Sequence, residues 1–129
     1  MVHQLKPFNR LGEEAFQGMN KQDQLNLIKE DFINCQKVLL AIGDDTRQSI
    51  LLVLMGTDCQ TGLRVGEITE QTHLSRPAVS HHLKILRDAG VILMREEGTK
   101  NFYYINPRSK IGLLKTLVLD IEKLLQDFY

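Results

Sequence analysis

Ser80, His81 and Lys84 place a hydroxyl, an imidazole and a fixed cation within little more than one helical turn. Together they suit a partner that presents hydrogen-bond acceptors and negative charge. The stretch from Ser75 to Gly90 reads as one helix, with Ser75 as N-cap, Pro77 tolerated in the first turn and Gly90 as terminator. At about 100° per residue, Val79, Leu83 and Leu86 share one side, with Ser75 and His82 at its edge. Ser80, Lys84, Pro77 and His81 gather opposite, flanked by Arg76 and Arg87, and the only acid is Asp88. The major groove of duplex DNA admits one helix and displays mainly acceptors, so a helix with one anchored face and one short, donor-rich face fits it. The same pattern also fits the solvated side of a core helix, and the neighbouring elements decide between the two.

Directly downstream, Val91–Glu96 and Asn101–Ile105 are β-rich, and Glu97-Gly98-Thr99-Lys100 supplies the glycine of a tight hairpin. A donor-faced helix followed by a two-stranded ribbon predicts a winged helix-turn-helix. Arg95 and Lys100 are candidate backbone contacts on the wing, while Glu96 and Glu97 limit its phosphate contribution. Tyr103 and Tyr104 offer aromatic faces, but adjacent strand residues point to opposite sides, so at least one belongs to the core.

Several further elements must position that helix. Residues 1–19 contain Pro7, Gly12 and Gly18, show no sustained period and read as an extension; residues 20–129 read as the winged helix-turn-helix domain with flanking dimerisation helices. Asn20 is an N-cap for a long helix on which Leu25, Ile28, Phe32, Cys35, Leu39 and Ile42 recur at heptad spacing until Gly43. Asp44 caps the next helix, which turns Ile50, Leu51 and Leu54 inward. A loop spans Gly56–Gly62, Leu63-Arg64-Val65 reads as a short strand, and Glu67–Thr72 as the first helix of the helix-turn-helix, with His73 in the turn. The last helix runs from Pro107 or Arg108 to Phe128. On it Ile111, Leu114, Val118, Ile121, Leu125 and Phe128 form a heptad seam beside a second stripe of Leu113, Leu117 and Leu124. A domain this small covers one stripe and leaves the other for a second copy, which predicts a homodimer through Ile111, Leu114, Val118, Ile121 and Leu125.

Sixteen Lys/Arg balance sixteen Asp/Glu over the 129 residues. The balance is uneven: residues 74–110 carry 7 basic against 3 acidic side chains, and the segments on either side are net negative. The basic excess therefore falls on the reading helix and wing. No apolar run spans a bilayer and no signal sequence opens the chain, so a cytoplasmic protein without a membrane partner is expected. Two cysteines without a secretory context do not make a disulfide framework. Cys35 lies on the apolar stripe and is expected to be buried and inert; Cys59 lies in a loop with no cation beside it in sequence. His81 and His82 point about 100° apart on a helix and do not share a metal ion. No motif assembles an acid, a base and a nucleophile, so an enzyme is not expected.

The run Ser75-x-x-x-Val79-Ser80-His81-His82-Leu83-Lys84-x-Leu86-x-x-Ala89-Gly90, followed by a hairpin ending in Tyr103-Tyr104, resembles the arsenical-repressor (ArsR-type) family of bacterial winged-helix regulators. Upstream, Leu39-x-x-Ile42-Gly43-Asp44-x-Thr46-Arg47-x-x-Ile50-Leu51 is similar to that family's second-helix entry, with Asp45 where the family usually has proline. The resemblance covers Val38 to Leu125. It implies a homodimeric repressor on a near-palindromic operator, released by a small inorganic or thiol-reactive inducer. Ser75, Arg76, Ser80, His81 and Lys84 would then contact DNA, with Arg87, Arg95 and Lys100 at its backbone. The chain departs from the family where metal is sensed. The two cysteine positions around Val65 are Arg64 and Gly66, and the ligand positions of the last helix fall on Arg108, Lys110, Ile121 and Leu124, none of them a usable ligand. No metal or cofactor is expected, and His3 in the extension is the first suspect should a site exist. The residues by themselves support a winged-helix DNA binder; the alternative is a winged-helix module for protein association, distinguished by salt-dependent binding to duplex DNA.

Overall fold

The computed structural model describes residues 18–129, so Pro7, Gly12 and His3 lie outside the described residues. In chain order the elements are α1 (Lys21–Ile42), α2 (Asp45–Met55), α3 (Val65–Thr72), α4 (Arg76–Asp88), β1 (Ile92–Glu97), β2 (Lys100–Ile105) and α5 (Gly112–Phe128). Among the described residues this is a mainly helical winged helix-turn-helix with one antiparallel hairpin. The chain divides into two compact units, residues 37–110 and a unit holding the described residues 18–36 and 111–129.

In the unit of residues 37–110, Ile50, Leu54, Ile68, Val79, Leu83, Leu86, Val91 and Ile92 are fully buried. Each large aliphatic side chain removed from water in this way contributes about 1.5–3 kcal/mol before the entropic cost of ordering it. α2 packs on α3, α4 and β2, and α4 packs on α3 and β1. Asp44 caps α2 as expected, accepting the Arg47 N–H at 3.0 Å, and that bond holds its carboxyl below the usual carboxylate range.

The helix expected over Glu67–Thr72 starts two residues earlier, at Val65. The Glu67 carboxylate reaches back to accept the Arg64 N–H at 3.1 Å, which fixes the entry. Consequently only Leu63 of the expected short strand pairs. It exchanges two backbone hydrogen bonds with Tyr103, both at 2.8 Å. Gly62 makes this approach feasible: its φ is +63°, and a Cβ there would stand 3.0 Å from the Tyr103 carbonyl oxygen. α3 ends at His73, a left-handed residue with φ 59°.

β1 and β2 pair in register from Ile92 with Ile105 to Glu97 with Lys100, leaving the two-residue loop Gly98-Thr99. Gly98 has φ +63°, whereas Thr99 is not among the positive-φ residues, which is the type II′ pattern that matches strand twist. At the base of the wing, the Asn106 amide donates to the Gly90 carbonyl at 2.9 Å.

In the other unit, Ile28 and Cys35 of α1 form a core with Leu117 and Leu124 of α5, against which Leu113, Leu114 and Ile121 pack. Near the start of α1, Gln24 donates to the Asp127 carboxylate at 2.9 Å, which with Lys123 keeps that carboxyl below its ordinary range. The heptad reading of α1 is half right. Ile28 and Cys35 are buried, but Leu25, Phe32 and Leu39 are exposed, and the inward face instead carries Gln24, Leu27, Asp31, Val38 and Ala41. The buried polar pair Gln24 and Asp31 breaks the apolar period, so the stripe read from hydrophobicity is rotated from the real one. Burial, and secondarily the Asp31 charge, pushes the Cys35 thiol up, consistent with an inert thiol.

Candidate nucleic-acid interface

The Ser75 hydroxyl accepts the Ala78 N–H at 3.2 Å and opens α4, with Pro77 in the first turn and Arg87 in the last, where a cation suits the helix dipole. With Val79, Leu83 and Leu86 buried, the rotation of α4 is set. Arg76, Ser80, His81, Lys84 and Arg87 are consequently all exposed along its outer side. Ser80 and His81 leave the middle of the helix, Lys84 lies one turn beyond Ser80, and His82 is half-buried at the edge. The outer side is thus a strip of donors, which can read base edges through side chains and hold phosphates through fixed cations.

Arg76 turns toward α3, and its guanidinium is close enough to Gly66 that an added Cβ there would stand 3.5 Å away. It lines a cleft of about 360 Å³ with Arg64, Gly66, Glu70, Thr99 and Asn101. Arg64, Thr99 and Asn101 were not singled out in the sequence, because their proximity to Arg76 depends on how the wing tip folds back toward α3. Arg64 was visible only as a position lacking a metal ligand.

The wing divides its two expected cations. Lys100 is exposed beside the turn. Arg95, expected as a backbone contact, lays its guanidinium against the 59–61 loop at the surface. It donates to the carbonyls of Cys59 at 2.9 Å, Gln60 at 2.7 Å and Thr61 at 3.1 Å, and pairs with Glu97 at 2.7 Å. Its guanidinium carbon also lies 5.1 Å from the Phe102 ring centre and 5.7 Å from that of Tyr104. Arg95 therefore ties the 59–61 loop to the wing, and brings a cation to the backbone of Cys59 that the order of residues concealed. The loop is itself organised by Asp58, whose carboxylate accepts the Thr61 N–H at 2.7 Å and is held below its usual range by that bond. Cys59 is exposed, its Sγ 3.5 Å from the Ile105 carbonyl oxygen.

Of the expected dimer seam, Val118 and Leu125 are exposed, while Ile111, Leu114 and Ile121 are half-buried, the last two against their own core. Phe128 and, on α1, Leu25, Phe32 and Ile33 are further large apolar side chains in contact with solvent. At the metal-sensing positions, Arg64 precedes α3 and Gly66 lies in its first turn, Arg108 and Lys110 are exposed, and Leu124 is buried. Among the described residues no three His, Cys, Asp or Glu side chains gather to hold a metal ion. No helix among them is long and apolar enough to cross a membrane.

Residues 44–92, from the cap of α2 to the first residue of β1, match the model of the family described as bacterial regulatory protein, arsR family. An uncharacterized HTH-type transcriptional regulator of Methanocaldococcus jannaschii is 40% identical over 78 residues, covering 59% of this chain and 82% of the relative. The transcriptional repressor SdpR of Bacillus subtilis is 41% identical over 69 residues, covering 54% and 72%. Among solved structures, a predicted DNA-binding transcriptional regulator from E. coli superposes with a TM-score of 0.54 at 25% identity, covering 81% of this chain and 99% of that one.

Proposed function

The chain belongs to the arsR family of bacterial regulatory proteins and is a DNA-binding transcriptional regulator, and from that premise we propose that it works in the cytoplasm as a homodimeric repressor of a small operon. Two copies of α4 enter successive major grooves of a near-palindromic operator, about 34 Å apart. Ser80 and His81 read base edges, Ser75 and Arg76 contact DNA at the start of the helix, and Lys84, Arg87 and Lys100 hold phosphates. Arg95 supports the wing from behind. The observation that carries this reading is the outer side of α4, where Ser80, His81 and Lys84 are exposed opposite the buried Val79, Leu83 and Leu86.

The homodimer forms through the seam of Ile111, Leu114, Val118, Ile121 and Leu125, with Val118 and Leu125 as the side chains left exposed in the single chain. Residues 1–19 precede the winged-helix domain as an extension. Any inducer acts elsewhere than the usual metal positions, because an arginine, a glycine, two cations and two aliphatic side chains offer no ligand there.

Fluorescence anisotropy with the duplex upstream of its own gene tests the reading. Binding at least a thousandfold tighter than to a scrambled duplex, weakening steeply with salt, is expected of a specific regulator. Equal affinity for both duplexes would refute it. Adding zinc, cadmium or arsenite to the complex is expected to leave it intact, and release by any of them would show a metal site that these residues do not form.

A further inference from the structure

Arg47 stands just inside α2, at the corner where α1 ends, and its side chain is only 14% exposed. Its Nε donates to the Ala41 carbonyl at 2.6 Å and its second terminal nitrogen to the Leu40 carbonyl at 3.2 Å. These carbonyls belong to the last turn of α1, where a helix leaves acceptors without intrahelical donors. The remaining terminal nitrogen lies 3.3 Å from Nδ1 of His82 on α4 and 4.0 Å from the Asp44 carboxylate. One planar cation therefore touches the end of α1, the cap of α2 and the edge of the reading helix.

A guanidinium donates and never accepts. The contact with His82 is a hydrogen bond only when Nδ1 carries a lone pair, which requires a neutral ring with its proton on Nε2. We infer that Arg47 is the positioning residue of the DNA interface, its guanidinium bolting the reading helix, through neutral His82, to the last turn of α1. The inference rests on the reading of α4 as the helix that enters DNA. Apolar contacts along Val79, Leu83 and Leu86 hold α4 without a preferred direction, whereas a hydrogen bond fixes how far the helix is turned. His82 is the immediate neighbour of His81 and two residues from Ser80. A bond at its ring therefore sets the bearing of both reading side chains, which must be held to about half an ångström to pair with base edges.

The same bond makes the position of α4 sensitive to pH. The charged or titratable groups seen to face His82 include Arg47 and Asp44 from the α1–α2 corner and His81, whose ring centre is 5.4 Å away. Protonation removes the acceptor and sets two cations in contact, with Asp44 as their shared counter-charge. DNA affinity that depends on the bond is therefore full where the imidazole is neutral and lost where it is charged. His81 acts in the opposite sense, since a charged imidazole on the outer side attracts phosphate, so the effect is read against a His82 variant in which His81 is unchanged.

The test uses the full chain and the duplex upstream of its gene, with anisotropy measured from pH 8 to 5.5. His82→Asn keeps an acceptor near the Nδ1 position without a titrating proton. It is expected to match wild type at pH 8 and to retain several-fold more affinity at pH 5.5. Arg47→Gln, which removes the guanidinium shared by Ala41, Leu40 and His82, is expected to bind roughly tenfold more weakly at pH 8, the effect on DNA of losing the charged hydrogen bond to His82, and to speed amide exchange in α4. Nitrogen shifts of the His82 ring provide a readout that needs no DNA, and the Nε2–H tautomer is expected at pH 8. A pH profile of His82→Asn that follows wild type, wild-type affinity in a folded Arg47→Gln, or an Nδ1–H tautomer would each overturn the inference. Failure of the wild type to bind any duplex would overturn the DNA reading, while the ring tautomer and α4 exchange still decide the bolt.

Discussion

At Ser80 and His81 the side chains leave α4 on the side opposite its buried leucines, so removing them changes what the helix offers without touching what holds it. Ser80→Ala with His81→Ala is expected to lose about 1–3 kcal/mol of operator discrimination per base contact, with the unfolding midpoint unchanged. Unchanged operator affinity in the double variant, measured by anisotropy, would remove these residues from the reading set. His73 presents the converse case, a residue whose conformation is unfavourable for its type. At φ 59° it holds the left-handed cap of α3, and its N–H donates to the Thr69 carbonyl at 2.9 Å. Glycine keeps that bond and escapes the steric cost at Cβ, so His73→Gly is expected to raise stability by about 0.5–1 kcal/mol, read from denaturant unfolding. A destabilised variant would show that the imidazole makes a contact worth more than the backbone relief.

Among the elements, the wing is tied to the 59–61 loop by Arg95. Replacing Arg95 by Gln leaves the carbonyls of Cys59, Gln60 and Thr61 to solvent and loosens the loop from the hairpin. Arg95→Gln is expected to cost about 1 kcal/mol of stability and to weaken DNA binding while the salt dependence stays as it is. A flatter salt dependence would instead identify Arg95 as a phosphate contact. Elements whose signals are local were legible in the sequence. Ser75, Pro77 and the Val79, Leu83 and Leu86 stripe define α4 within a dozen residues, and Gly98 announces the hairpin. Where the decisive interaction joins distant residues, the order of the chain was silent. Nothing near Arg95 points to residues 59–61, nothing near Leu63 points to Tyr103, and the buried Gln24 and Asp31 hide the true face of α1 from any reading based on apolar spacing.

For the whole molecule, the test of dimerisation follows from how the seam of α5 divides. Ile121 packs partly on its own core, so a charge placed there would also disturb the single chain. Val118 and Leu125 are 51% and 48% exposed and leave that core alone. Val118→Glu and Leu125→Glu are therefore expected to shift the dimer to monomer in sedimentation and to abolish operator binding, with thermal unfolding of the single chain preserved. A wild-type monomer at micromolar concentration would refute the dimer.

The engagement of Arg95 by the 59–61 loop has a consequence for the number of counterions that the proposed complex is expected to displace. If the exposed Arg76, Lys84, Arg87 and Lys100 meet DNA in both copies of the proposed dimer, about eight phosphates are neutralised, and the logarithm of the binding constant is expected to fall against the logarithm of salt concentration with a slope of about −7. Had both Arg95 side chains reached the backbone, the slope would be about −9. Doubling the salt is then expected to weaken operator binding about 130-fold rather than about 500-fold, and a slope near −9 in a salt titration would place Arg95 back on the DNA.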